Sequence, residues 1–132
     1  MDRKPLKDYK YNKKYVEEIM QDIETRKELI NKLTATYGGN GNFKTNINDK
    51  IAEDLAILLD MTTDYEKIIK KMKEDLMVIE KAIEELAPEY RNILYRVYIK
   101  GEPLVNIASD LGYSYRQMCR KHGIALKKYD KL

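Results

Sequence analysis

The sequence predicts an all-α protein: a helical hairpin or coiled-coil segment followed by a C-terminal helix-turn-helix domain. Three observations carry that expectation. Apolar side chains recur through residues 49–87 in unbroken steps of four and three, the a/d seam of a helix that packs on another helix. The stretch from Leu104 to Met118 reads as a short amphipathic helix, a glycine turn and a second, capped helix. Charged residues are 36% of the 132 and hydrophobic ones 43%, a balance that suits helices in water. Three segments follow: a basic N-terminal arm over 1–14, a helical oligomerisation segment over 15–87, and the helix-turn-helix domain over 88–132.

The first segment mixes six Lys/Arg with two Asp/Glu and carries Tyr9 and Tyr11. Such an arm can track a nucleic-acid backbone, but a solvated, frayed terminus is the preferred reading. Residues 13–37 are predicted helical, with Val16, Ile19, Ile23, Ile30, Leu33 and Tyr37 at steps of three and four and Arg26 interrupting them. Gly38-Gly39-Asn40-Gly41-Asn42 stops that helix. The loop lacks the Gly-Lys-Ser/Thr ending of a phosphate cradle. Asn46 or Asn48 is placed to cap the next helix.

The seam of that helix runs Ile51, Leu55, Leu58, Thr62, Tyr65, Ile69, Met72, Leu76, Ile79, Ile83, Leu86. Thr62 and Tyr65 are imperfect core residues, so a break there is conceivable. A helix over 49–87 spans ~58 Å at the usual rise. The first helix, read as starting near residue 13, is shorter and covers only part of it. The uncovered stripe needs the helix-turn-helix domain, a second copy of the chain or both; a homodimer or higher oligomer through Leu55, Leu58, Tyr65, Ile69, Met72, Leu76 and Ile79 is expected over a self-contained helical bundle. Pro88 ends the long helix, forces Ala87 out of helical conformation and suits the first turn of a new one. That next helix holds Ile93, Leu94, Val97 and Tyr98 on one side, and Gly101 and Pro103 close it.

In the C-terminal stretch, Leu104, Ile107, Ala108 and Leu111 make one apolar face. Gly112 supplies the left-handed residue of a helix stop, and Ser114 caps the helix that follows. Met118, His122, Ala125 and Tyr129 continue inward. The opposite face gathers Tyr115, Arg116, Gln117 and Arg120, with Lys121, Lys127 and Lys128 behind them. No core requires that set. A DNA major groove does: arginine bonds guanine bidentately, glutamine bonds adenine, and lysine neutralises phosphate. Tyr115, Arg116, Gln117 and Arg120 are thus the expected base readers. Ser114, Lys121, Lys127, Lys128, Arg96 and Lys100 are the expected phosphate contacts.

The net charge of +3 divides as +4 over 1–14, −6 over 15–87 and +5 over 88–132. Basic ends on an acidic body fit double-stranded DNA at the ends and protein contact in the middle. No apolar run reaches the ~20 residues of a membrane span. One cysteine and one histidine predict no disulfide and no zinc site. No carboxylate pair or activated nucleophile stands out, so no enzyme activity, cofactor or metal is expected.

The run Tyr90-Arg91-Asn92-Ile93-Leu94-Tyr95-Arg96-Val97-Tyr98-Ile99-Lys100-Gly101-Glu102-Pro103-Leu104, then Ile107-Ala108, Leu111-Gly112-Tyr113-Ser114 and Ala125-Leu126, resembles the promoter-reading region 4 of bacterial sigma-70-type factors. More closely, it resembles the small phage ArpU/RinA-type regulators that activate late genes for packaging and lysis. The resemblance covers about the last third of the chain. It implies a sequence-specific transcriptional regulator in the cytoplasm of a bacterial host, with Tyr115, Arg116 and Arg120 at base-touching positions and RNA polymerase as a further partner. Gln117 replaces an arginine common in sigma factors. Lys121 stands where a buried aliphatic residue is usual, so either His122 takes the inward place or the Lys121 stem lies along the core. Two other functions fit the same fold: a small terminase-type DNA-packaging subunit, and a protein-binding adaptor or inhibitor using the helical segment.

Overall fold

The computed structural model describes residues 1–37 and 46–132, and every element in them is helical. In order they are α1 (Arg3–Tyr37), α2 (Asn46–Glu84), α3 (Pro88–Leu94), a π-helical turn (Tyr95–Ile99), α4 (Leu104–Leu111) and α5 (Tyr115–Asp130). Among the described residues no helix is long and apolar enough to cross a membrane. The glycine-rich loop at 38–42 lies outside the described residues, and so do the side chains of Asn46 and Asn48, to which the cap was assigned.

By its contacts the chain divides into two units, one of Met1–Lys14 with Lys73–Leu132 and one of Tyr15–Met72. In the second unit α1 and α2 run antiparallel. Leu33 shares a hollow with Leu55 and Leu58, and Ile19 and Ile23 share another with Tyr65. Lys27 pairs with Glu66 at 2.7 Å. Arg26, which interrupts the apolar pattern, lies over the Tyr65 ring at 4.7 Å, so its stem and plane fill a seam position that its charge alone would not suit. Thr62 is buried, and its hydroxyl donates to the Leu58 carbonyl at 2.7 Å. That internal bond satisfies the side chain, and α2 continues through it unbroken.

The first unit corrects the reading of residues 1–14 as a frayed arm. They are the first turns of α1. Asp2 Oδ1 accepts from the Lys4 N–H at 3.1 Å, the bond of an N-cap. Pro5 sits in the first turn, where a missing N–H costs nothing. Leu6 and Tyr9 are fully buried while Lys7 between them is exposed, and the Tyr9 hydroxyl donates to the Glu80 carboxylate. Arg3 grips Asp130 through two bonds of 2.8 and 2.7 Å. The Met1 ammonium donates to the carbonyls of Asp130 and Leu132 at 3.0 and 3.1 Å.

A second correction follows. With 35 residues, α1 nearly matches the 39 of α2, where a much shorter first helix was expected. Ile69, Leu76 and Ile79 are buried, and Leu55, Leu58, Tyr65 and Met72 are half-buried. Three of the seven residues expected to join two copies are thus buried within this chain, and four keep part of their surface.

Beyond α2, Ala87 is extended (φ −54°, ψ 146°) and Pro88 opens α3, as the ring of a proline requires. The π turn ends with the Lys100 N–H donating to the Tyr95 carbonyl at 3.0 Å and the Glu102 N–H to Arg96 at 2.9 Å. Gly101 takes φ +72° to close it. Ile93, Ile107, Ala108 and Met118 form a buried cluster, with Val97, Leu104 and Tyr113 packed on it. It locks α5 against α3 and α4.

Candidate nucleic-acid interface

Two short helices and a tight turn set the site. In α4, Ile107 and Ala108 are buried and Leu104 is half-buried, but Leu111 stays 38% exposed. It lies in the last turn, at the rim of the cluster, and not on the inward face expected of it. Gly112 adopts φ 75°, ψ 23°, a conformation that costs any residue with a Cβ. The Tyr113 N–H then returns to the Ala108 carbonyl at 2.9 Å, closing the helix end. Ser114 opens α5. Its Oγ accepts from the Gln117 N–H at 3.1 Å, and Gln117 Oε1 accepts from the Ser114 N–H at 3.0 Å. This reciprocal pair is a capping box.

The inner face of α5 is Met118, Ala125 and Tyr129, each at 0% exposure. Leu126 is buried as well, which the spacing alone did not indicate. His122 is half-buried and shares a 2.9 Å hydrogen bond with the Tyr98 hydroxyl. Burial, then the charges of Arg3 and Lys7, holds its pKa below the ordinary value. Burial likewise pushes the Tyr98 phenol up.

The outer face presents Arg116, Arg120, Gly123 and Lys127 at i, i+4, i+7 and i+11. The three cations are exposed, and none of them has an ion-pair partner among the described residues. Tyr115, 56% exposed, stands beside this row. Cys119, one turn on, raises its pKa.

Several expected contacts have other occupations. The amide oxygen of Gln117 is engaged in the cap, so bidentate reading of adenine would break the box. Arg96 lies between Glu102 and Asp110, with Nη1 2.7 Å from Asp110, and is only 16% exposed. It ties the π turn to both ends of α4. Lys121 pairs with Glu89 and lies over the Tyr113 ring at 4.7 Å; the Glu89 carboxylate raises its pKa. Its stem thus takes the semi-buried place, while His122 turns to Tyr98. Both pairings join residues far apart in sequence, Arg96 to Asp110 and Lys121 to Glu89, so no local pattern signals them. Lys128 lies over Tyr90 and Lys100 over Tyr95, at 5.2 and 5.7 Å to the ring centroids, and both ammoniums stay on exposed residues.

No family model matches the chain, and neither a curated protein nor a solved structure matches it.

Proposed function

We propose that the protein is a sequence-specific DNA-binding regulator of transcription that reads the major groove with α5. The observation that carries this reading is the outer row of α5. Arg116, Arg120 and Lys127 are exposed and unpaired on a helix whose other face is anchored, and whose first turn is fixed by a capping box. A rigid helix with free guanidiniums in its first two turns is what base-edge recognition needs. The resemblance to region 4 of sigma factors and to ArpU/RinA-type regulators supports the same reading, and a late-gene activator of a phage or prophage is the class it suggests.

In this reading Arg116 and Arg120 bond guanine edges, and Tyr115 packs at the groove wall. Ser114, Lys127, Lys128 and Lys100 meet phosphates. Arg96 and Lys121 hold the domain together and leave the phosphate set. Gln117 fixes the helix start, and its amide N–H₂ alone remains to donate outward.

The test is selection of double-stranded DNA from a random library by the purified protein at physiological salt, with Arg116→Ala beside it. One enriched motif is expected, and Arg116→Ala is expected to lose ~1–3 kcal/mol on that motif and to relax one base position. Equal losses on the motif and on random DNA would refute base reading by Arg116. Binding with no sequence preference at all would refute the proposal.

A further inference from the structure

We propose that two copies of the chain associate through the flank of α2 marked by Ile57, Met61 and Ile68, antiparallel about a two-fold axis between Met61 and Asp64. This deepens the regulator reading above and rests on it for its use.

The flank follows from the helix register. On α1 and α2, the residues one position after the seam, Lys27 and Glu66, bond each other. Residues one position before the seam therefore lie on the opposite flank. There α2 exposes Ile57 at 57%, Met61 at 47% and Ile68 at 51%, and α1 exposes Leu29 at 46%. Single exposed apolar residues are ordinary. Four on one flank of paired helices form a stripe, and a stripe of that kind marks a protein contact.

The charges along the stripe name its occupant. Reading outward, α2 carries Asp54, Ile57, Met61, Asp64, Ile68 and Lys71, all exposed. Laid antiparallel on a second copy about that axis, Asp54 meets Lys71, Ile57 meets Ile68, and Met61 meets Asp64. Each pair then occurs twice, as the two-fold requires. A parallel, in-register pairing sets Asp54 on Asp54, Asp64 on Asp64 and Lys71 on Lys71, and like charges facing each other oppose association. In the reverse register the outer pairs match, Asp54 with Lys71 and Ile57 with Ile68, and Asp64 faces Met61 at the axis. A second copy of this chain is the partner it fits.

The test weighs the full chain by sedimentation or light scattering, in the absence of DNA. Twice the chain mass of 15.6 kDa is expected. Ile57→Gln with Ile68→Gln keeps helix propensity and is expected to return the mass to that of one chain with an unchanged helical circular dichroism spectrum. Asp54→Lys is expected to weaken association several-fold, and adding Lys71→Asp to restore it. A single-chain mass of the unaltered protein at every concentration overturns the proposal, as does a ring of many subunits. Failure of the second exchange to restore what the first loses overturns the antiparallel register. Since no DNA is present, a failed DNA selection leaves these outcomes standing, and a monomeric mass leaves the base-reading test standing.

Discussion

Gly123 sits inside α5, where glycine costs a helix about 1 kcal/mol relative to alanine. A Cβ built there meets nothing within 4 Å, so packing gives no reason for it. It lies between Arg120 and Lys127 on the outer row. Gly123→Ala is expected to raise the unfolding free energy by ~0.5–1 kcal/mol in urea titration. If the groove approaches the backbone at this point, the same variant loses DNA affinity while gaining stability. His122 gives a second test at this scale. Its folded pKa lies below 6.5, so the unfolded chain takes up the proton first. The contribution of His122 to stability is therefore level above pH 6.5 and declines as pH falls below it. Chemical denaturation across that range should show the decline, and His122→Gln should flatten it. A separate loss follows at lower pH, where Asp130, held below its usual range by the Arg3 guanidinium, becomes protonated. The inward place of His122 was legible from its spacing with Met118 and Ala125. Its partner Tyr98 was not, because that contact crosses between elements with no local signature.

Among elements, α5 and its turn were the most legible, since Gly112, Ser114 and the i, i+4 spacing act within a few residues of themselves. The start of α1 was the least legible. Leu6 and Tyr9 stand among charged residues that mask their spacing, and Pro5 argues against a helix unless it stands in the first turn. The available signal was Asp2 followed by Pro5, a cap and a first-turn proline together. The folded start of α1 makes a definite claim. Leu6 is fully buried, so Leu6→Ala is expected to lower the unfolding free energy by ~2–5 kcal/mol. A solvated arm would give a change near zero. The burial along the α2 seam has the same origin. Its period was plain in the sequence, but how much of it one chain buries depended on where α1 began.

Across the whole molecule, cations gather at the two ends of the sequence and acids in the middle, and the net charge is only +3. On the proposed reading, DNA affinity comes from local cations and not from the overall field. Each phosphate neutralised adds ~0.9 to the slope of log affinity against log salt. A two-fold dimer that sets one α5 in each of two half-sites, ~34 Å apart or a multiple of that, doubles the phosphate count of a single module. Lys127→Ala should then reduce the slope by ~2, about one for each copy, and weaken all sequences alike. Arg96→Ala should lower the melting temperature, because Glu102 and Asp110 lose their common partner, and leave the slope where it was. Ile57→Gln with Ile68→Gln changes no charge and touches no residue of α5. If the two copies bind DNA as one body, that variant halves the slope on the selected motif. If the slope stays whole while the mass falls to one chain, each copy reads DNA alone, and the α2 contact serves some purpose other than joining half-sites.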